Sequence, residues 1–327
     1  MRRRYNRDKH RCSETDVGPR SSKKVGNSMR RSTVMATCAL LAGCALLCLV
    51  AEAGAGAWTL PQKKLWGKVT YFQQTTNEWY VASPQFIDGQ VVSTGQRAHY
   101  NFNGQYESKA LFAEGFYGVS DRFDVAVQIP YFDQSFADET RSDPVADAGL
   151  SDMRLFAKFR LVDKPVLFSL KTGVKMPTGE FKNEDGLIPV GEGQWDYDFV
   201  AQLGRSFWPL PLYANVDVGY RVRTKNDEID RDPGDEWFLN AELGYNITRK
   251  LMLMGKYELL RSDPSIEFGS IVNRSQIKRI AFMMPVLLYA IDEHTAVEVA
   301  LRISLNGRNY PAGQQFILGV SSAIGGS

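Results

Sequence analysis

The chain has no cysteine beyond residue 57. All four of its cysteines precede that point, at Cys12, Cys38, Cys44 and Cys48. The remaining 270 or so residues therefore lack disulfides, reactive thiols and cysteine-ligated metal sites. Histidine is nearly as scarce, because only His99 and His294 lie in that part of the chain. Chemistry that depends on thiols or on clustered imidazoles is excluded there.

Two further features are missing beyond Trp58. No segment repeats apolar residues at helical spacing, and no apolar run approaches the roughly 20 residues that a transmembrane helix needs. Net positive charge is missing as well. Of 39 Lys+Arg and 37 Asp+Glu in the chain, eleven and four fall in residues 1–57, which leaves 28 basic and 33 acidic residues. A nucleic-acid partner is therefore not expected.

The first 57 residues have the composition of an export leader. Residues 1–28 are basic and polar, and we interpret them as a disordered extension or a misassigned start. Residues 29–57 contain an arginine pair, an apolar run over Met35–Ala51 and a final small-residue tract. This order is typical of a secretory signal peptide. We expect cleavage before Trp58, so that residues 58–327 form the mature domain.

Two alternatives remain for this leader. A single transmembrane helix would need a longer apolar run, and this one ends at Glu52. Leu41-Ala42-Gly43-Cys44 resembles a lipoprotein cleavage box, but six more apolar residues follow it, over Ala45–Val50. The box would therefore fall inside the apolar region rather than at its end, which favours the later cleavage site.

The clearest pattern in the mature part is a two-residue alternation over Asp152–Met176. Apolar residues occupy every second position on both sides of a break at Val162–Pro165, and mostly charged or small residues occupy the positions between. A period of two is the signature of a strand, and two such runs joined by a short turn predict an antiparallel hairpin. Runs this long, with one apolar and one charged face, are typical of strands between lipid and water.

The same alternation recurs along the whole mature part. The predicted strands are Leu65–Gln74, Gln105–Tyr117, Arg122–Phe132, Gly149–Leu161, Pro165–Met176, Gln194–Arg205, Pro211–Arg223, Asp235–Asn246, Lys250–Arg261, Gln276–Ala290, Thr295–Asn306 and Gln314–Ile324. Short turns such as Val162–Lys164 alternate with long polar loops such as Pro177–Gly193. Bacterial outer-membrane barrels alternate short periplasmic turns and long outside loops in this way.

The pattern predicts an all-β fold, a transmembrane antiparallel up-and-down β-barrel of about 12 strands. Eleven residues at about 3.3 Å each, tilted by about 40°, rise about 28 Å, which is close to the roughly 25 Å apolar band of such barrels. The alternative is a soluble β-sandwich, whose strands are typically only about five or six residues long. An even strand number places both termini in the periplasm.

Three places fit this pattern less well. Gln276–Ala290 is apolar on both faces, and its Pro285 predicts a bulge or a local break. Glu78–Ser83 is either an extra short strand or part of the first loop, Thr75–Gly104, which is long enough to fold inward as a constriction. The last strand lacks the terminal aromatic residue that bacterial barrels usually offer to the assembly machinery.

The charged positions between the apolar ones define candidate pore-lining residues. These are Arg154, Lys158, Arg160, Lys171, Lys175, Asp196, Asp198, Asp217, Arg221 and Glu242. Basic residues dominate the fourth and fifth predicted strands, whereas acidic residues dominate the sixth and the eighth. One interpretation is cross-strand pairing that satisfies a packed interior. The other is a transverse field across a water-filled pore that orients polar solutes.

Candidate catalytic residues are few. His99 in the first loop, with Asp133, Asp138 or Asp185, could imitate the outer-rim site of a barrel protease, but solvated loop residues are the favoured interpretation. His99 and His294 are predicted on opposite rims, so a two-histidine metal site is not expected. We therefore predict a protein without catalytic residues, cofactor or metal.

Several phrases resemble a known family. They are Tyr117-Gly118-Val119-Ser120-Asp121-Arg122-Phe123, Pro130-Tyr131, Gly149-Leu150-Ser151-Asp152, Lys175-Met176-Pro177-Thr178-Gly179 and Gly191-Glu192-Gly193-Gln194-Trp195-Asp196. In this order and spacing, over roughly residues 58 to 324, the chain resembles the outer-membrane family named for the meta-pathway of phenol degradation. The resemblance implies a Gram-negative outer-membrane barrel and a transporter. The family name does not establish phenol as the solute.

The expected function is passive passage of a small solute, with an aromatic or otherwise poorly water-soluble compound favoured. The expected partners are outer-membrane lipid, the solute and the barrel assembly machinery, and the oligomeric state is left open. Two other hypotheses remain: a plugged barrel with a structural or adhesive role for its surface loops, and a barrel hydrolase that would use His99.

Overall fold

The structure, a computed structural model, describes residues 56–87, 89–140, 142–181 and 189–324. Its strands are β1 (Leu65–Thr76), β2 (Glu78–Tyr80), β3 (Gln85–Ile87), β4 (Gln90–Val92), β5 (Arg97–His99), β6 (Gln105–Ser120), β7 (Phe123–Ala137), β8 (Val145–Leu150), β9 (Arg154–Val162), β10 (Leu167–Lys175), β11 (Asp196–Ser206), β12 (Leu212–Arg223), β13 (Arg231–Asp232), β14 (Glu236–Asn246), β15 (Leu251–Ser262), β16 (Ser265–Glu267), β17 (Ile271–Asn273), β18 (Arg279–Ala290), β19 (Thr295–Arg308), β20 (Tyr310–Pro311) and β21 (Gln314–Ile324). Two single-turn 3₁₀ helices cover Asn101–Asn103 and Arg274–Gln276.

Twelve strands form one closed antiparallel wall. They pair in the order β1, β6, β7, β9, β10, β11, β12, β14, β15, β18, β19 and β21, and β21 returns to pair with β1. At this seam Leu65 lies opposite Ile324 and Gln74 lies opposite Gln315. Closure leaves no free strand edge at the seam, which satisfies the backbone of both terminal strands. The predicted all-β barrel of about 12 strands is confirmed.

Alternating side chains give the wall two different faces. In β11, Asp196, Asp198, Val200 and Gln202 are buried on the inside, whereas the residues between them, among them Tyr197, Phe199 and Leu203, are exposed on the outside. The same alternation runs through the other wall strands, and large apolar side chains dominate their outer faces. Such an apolar outer band is the surface that a barrel presents to lipid.

The two ends of the barrel differ as predicted. At one end, here called the turn side, consecutive wall strands are joined by short connections, for example residues 121–122 between β6 and β7 and residues 163–166 between β9 and β10. At the other end, here called the loop side, the connections are longer and hold the small strands β2–β5, β13, β16, β17 and β20. Among the residues that the structure describes, no helix is long and apolar enough to cross a membrane.

The fourth predicted strand, Gly149–Leu161, is wrong as a single element. The chain leaves the sheet at Ser151–Met153, which separates β8 from β9. Both pieces pair with β7, β9 with its turn-side half and β8 with its loop-side half. Asp152 explains the interruption. Its buried carboxylate accepts backbone N–H groups of Gly179 at 3.1 Å and Glu192 at 3.0 Å from the loop after β10.

Pro285 does not break its strand. β18 runs continuously through it and keeps an uninterrupted register with β15, in which Pro285 lies opposite Gly255. The irregularity is on the other side, where the ladder with β19 shifts between Ala281 and Phe282 and skips Met284 and Pro285. A proline has no N–H to give to that ladder, so the disturbance falls on one neighbour only.

Candidate functional site inside the barrel

The structure places all ten predicted pore-lining residues on the inner side of the wall. Opposite charges meet on adjacent wall strands or across one intervening strand. Asp198 receives Arg221 Nε at 2.6 Å and Arg154 Nη1 at 3.1 Å, and Glu242 pairs with Lys256 at 2.7 Å. The cross-strand pairing considered from the sequence is therefore present. A role of these residues in conduction stays a prediction.

The densest group lies at the loop side, around Lys175. Its ammonium is 3.1 Å from both Asp152 and Asp196 and also pairs with Glu192. Arg223 joins the same group, with contacts to Glu192 at 2.9 Å and to Glu236 at 3.2 Å. Lys175 is only 2% exposed, so its charge depends on these three carboxylates for compensation.

Glu192 ties the loop after β10 to the wall. Removal from bulk water alone would raise the pKa of Glu192, but the nearby charges of Arg223, Lys175 and Lys278 outweigh it, and the pKa lies well below its usual value. Glu192 thus stays ionised near neutral pH. In the sequence, Glu192 lies in one of the phrases that resemble the family, but that phrase does not reveal its ion pairs with Lys175 and Arg223.

The remaining predicted residues lie closer to the turn side. Arg160 donates to the carbonyl of Asp121 at 2.9 Å, and Lys171 lies over the ring of Phe156, 5.1 Å from its centroid. Asp217 accepts hydrogen bonds from Gln202 at 2.9 Å and Asn215 at 2.8 Å. These groups are also engaged by neighbouring side chains or backbone rather than projecting alone into the lumen.

Part of the inner wall is apolar. Buried side chains on β12, β15, β18 and β19 form a continuous cluster: Tyr213, Met252, Met254, Met284, Val286, Leu288, Ala296 and Ala300, together with Trp58. In the sequence, this cluster is indicated by the predicted strand Gln276–Ala290, which is apolar on both faces. The interior therefore has an ionic side on β9–β14 and an apolar patch in the turn-side halves of β12, β15, β18 and β19. Ion pairs also occur outside the ionic side, because Lys256 on β15 pairs with Glu242 and Glu298 on β19 pairs with Lys68.

The N-terminal segment, defined here as Gly56–Leu60, lies inside the barrel near the turn side. Lys158 Nζ donates to the carbonyl oxygen of Trp58 and, at 3.3 Å, to that of Gly56. Leu60 N–H donates to both carboxylate oxygens of Asp124 at 3.1 Å. The Trp58 indole packs edge-on against Tyr213, with ring centroids 5.7 Å apart. The segment covers part of the apolar inner cluster.

Ala57 is held with equal precision. It is fully buried, its N–H donates to Asn215 Oδ1 at 2.9 Å, and its carbonyl accepts from Ser169 Oγ at 2.5 Å. Five side chains of the wall strands β7, β9, β10 and β12 therefore hold this five-residue segment in place. These contacts span more than sixty residues of sequence, and no local pattern announces them.

The first loop also enters the interior. Its β2 strand confirms the short strand considered at Glu78–Ser83. Tyr80 packs with Ile280, Phe282 and Ala312 in a second buried cluster, and its hydroxyl lies 3.2 Å from Ser304 Oγ. Part of the first loop therefore packs against inner side chains of β18 and β19 at the loop side, and its role as a constriction stays a prediction.

Two of the suggested hydrolase residues, His99 and Asp133, lie in ordinary strand positions. His99 ends β5, opposite Glu78, and Asp133 lies in β7, opposite Lys109. Asp138 bonds to Thr140, and Asp185 lies outside the described residues. Within the described part of the chain, no group of three or more His, Cys, Asp or Glu is placed to hold a metal ion.

A closed 12-strand barrel with this inner wall can be compared with known proteins. The sequence model of the family described as "Putative MetA-pathway of phenol degradation" matches residues 81–320. The chain belongs to this family. The family match covers the wall from the first loop to β21 and includes every residue of the ionic side. None of the curated proteins matches the chain.

Solved structures share the fold. An outer membrane channel from Pseudomonas putida F1 matches with a TM-score of 0.66 at 15% identity, covering 82% of this chain and 98% of that one. The NanC porin matches with a TM-score of 0.45 at 8% identity, covering 78% and 98%. The toluene transporter TbuX of Ralstonia pickettii matches with a TM-score of 0.42 at 8% identity, covering 81% and 90%. The first of these supports an outer-membrane-type barrel.

Proposed function

We propose that the protein is a passive outer-membrane channel for a small solute, with an aromatic or otherwise poorly water-soluble compound as the favoured kind. The observation that carries the proposal is an interior that offers both kinds of surface. An apolar cluster in the turn-side halves of β12, β15, β18 and β19 lies within the same closed barrel as the ionic side on β9–β14. A solute with an apolar body can contact the apolar cluster, while water and polar groups meet the charged side chains.

Two comparisons support the same choice. The P. putida relative, whose fold this chain shares, is described as an outer membrane channel. The family is described by phenol degradation, which is the chemistry of a small aromatic molecule. We assign the protein no catalytic step, cofactor or metal.

We propose export by a leader within residues 29–57 and insertion into the outer membrane by the barrel assembly machinery. With an even number of wall strands, both ends of the barrel domain lie on the turn side. Short connections face the periplasm in bacterial barrels, which places both termini there. The exposed apolar residues of the outer face then meet outer-membrane lipid.

The test is conduction by the purified mature protein. In planar bilayers it should give discrete conductance steps, and in liposomes it should admit small uncharged aromatic solutes such as benzyl alcohol faster than lipid alone. Arg154→Gln should change ion selectivity, because it removes one inner charge beside Asp198. A bilayer that stays tight at all voltages, together with no solute entry above lipid, contradicts the proposal.

A plugged barrel with an adhesive role is the second candidate. The observation that favours it is the N-terminal segment in the interior, where Trp58 and Leu60 are both buried. This candidate requires the outer loops to carry the function. Shortening the loop at residues 224–234 or 263–275 should then abolish the phenotype, whereas replacing Arg154 or Lys158 should leave it intact. The opposite pattern supports the channel.

A further inference from the structure

A small cavity of about 60 Å³ lies at the loop side, among the connections that follow β10, β12 and β15. In this measure one water needs about 10–15 Å³, so the cavity has room for about four to six waters or for one carboxylate with its adjoining carbons. Eight of its nine lining residues have polar side chains, and Pro233 is the ninth. Three cations, Arg223, Arg231 and Lys278, and one anion, Glu192, line it.

The charges of this cavity do not cancel. Glu192 is already engaged by Arg223 and Lys175, and Arg223 is shared with Glu236. The guanidinium of Arg231 and the ammonium of Lys278 have no hydrogen-bond or ion-pair partner among the residues that the structure describes. Two positive charges therefore border the cavity without a direct ion pair, and Lys278 acts on Glu192 only at longer range.

Both cations are carried by a firmly held backbone. Lys278 and Ser262 are joined by a backbone bond of 2.8 Å, and the N–H of Lys278 donates to Ser262 Oγ at 2.8 Å. Arg231 exchanges two backbone bonds with Asn226, at 2.8 and 3.1 Å. Because the main chain is already held, an anion that binds here has to order the two side chains but not the loops that carry them.

Nearby carboxylates have other partners. Glu267 lies in register opposite Arg231, but its side chain accepts from Asn273 Nδ2 at 2.9 Å. Asp232 accepts the backbone N–H of Gly234 at 3.0 Å. The protein therefore leaves the positive charge of the cavity for a ligand.

We propose that this cavity binds the carboxylate of a small organic acid, with Arg231 and Lys278 as the charged donors. A monoanion fits better than a dianion, because the ionised Glu192 in the same wall repels excess negative charge. Arginine and lysine donors make charge-assisted hydrogen bonds to a carboxylate. The site goes beyond the proposed function, since it binds its ligand whether the barrel conducts or is closed.

The experiment measures benzoate binding to the purified full-length mature protein in non-ionic detergent by titration calorimetry. Benzyl alcohol, with the same ring and no charge, and inorganic phosphate are titrated in parallel. The test variant is R231Q/K278Q, and R279Q is the matched control, because Arg279 loses the same charge one residue away on the exposed outer face. Folding of each variant is checked by gel mobility before and after heating.

Benzoate should saturate the wild-type protein and R279Q, and the two dissociation constants should agree within about twofold. The double variant should bind benzoate at least about tenfold more weakly, because it has lost two charged hydrogen-bond donors. Added salt should weaken binding to the wild type. Equal benzoate affinity in the double variant overturns the site. Benzyl alcohol that binds as tightly as benzoate overturns its anion specificity, and phosphate binding without benzoate binding overturns the carboxylate assignment.

Discussion

At the scale of single residues, Lys158 joins the wall to the N-terminal segment. Its ammonium reaches two backbone carbonyls of that segment and lies 3.5 Å from Asp124, whose carboxylate holds Leu60. One buried cation thus links β7, β9 and the segment. The alternation of β9 predicts correctly that Lys158 lies on the inner face, but no local pattern reveals its partner 100 residues away in the N-terminal segment.

We expect Lys158→Met to release the N-terminal segment. The variant leaves the Asp124 carboxylate without its cation, and breaking a buried pair costs about 3–5 kcal/mol. The midpoint of thermal unfolding should fall, and single-channel conductance should rise as the segment moves.

Lys171→Met is the matched control, because Lys171 lies in register beside Lys158 and contacts Phe156 instead of the segment. If both variants have the same conductance as the wild type, Lys158 does not hold the segment in place.

The absence of a side chain at Gly244 leaves room for the ring of Tyr213 on the neighbouring strand. A Cβ added at Gly244 would lie 2.1 Å from the ring of Tyr213, which itself packs against Trp58. Gly244→Ala should therefore displace that ring and lower the free energy of unfolding by about 1–3 kcal/mol, as overpacking does. Gly255→Ala on the neighbouring strand β15 is the control, because nothing lies within 4 Å of its added Cβ. Equal unfolding midpoints for the two variants would contradict this prediction.

At the scale of elements, the long wall strands were predictable and their interruptions were not. Strands of about eleven alternating residues, such as β11, repeat one signal many times. The break at Ser151–Met153 lies within an alternation that continues through it, and its cause is a contact of Asp152 with a distant loop. In the sequence, the apolar inner cluster is indicated only by one strand that is apolar on both faces. Nothing there shows which other residues that strand packs against.

The loop after β10 should respond to acid in a defined range. The pKa of Glu192 is lowered in the folded protein, so its stabilising contribution is complete above its ordinary value of 4.5 and is lost as the pH falls through the lower folded value. Amide-exchange protection of residues 189–195 should be constant from about pH 8 to about pH 5 and decrease only below that ordinary value. Glu192→Gln should show low protection at every pH. Loss of wild-type protection already at pH 6 would point to another titrating group.

The N-terminal segment gives an expectation for processing. Ala57 is fully buried and bonded on both sides, and Gly56 accepts from Lys158. We expect the mature chain to retain both residues, with cleavage after Ala55, two residues before the boundary expected from sequence. Mass spectrometry of the intact mature protein decides between them. A chain that begins at Trp58, or a lipid-modified Cys44, would contradict the retained segment.

At the scale of the whole molecule, the apolar outer face and the closed wall belong together. Exposed apolar side chains encircle the barrel, and in water such a surface would aggregate. The mature protein should therefore need detergent or lipid, show a β-type circular dichroism spectrum, and migrate differently on gels before and after heating. A chain that stays monomeric without detergent, or one with a mainly helical spectrum, is incompatible with this fold.

The seam between β1 and β21 joins the two ends of the wall, about 250 residues apart in sequence. The N-terminal segment immediately precedes β1, yet its anchors belong to β7, β9, β10 and β12, well away from the seam. The N-terminal segment is therefore fully enclosed only when the seam between β1 and β21 is closed. Chains truncated before β21 should leave this early segment accessible to protease.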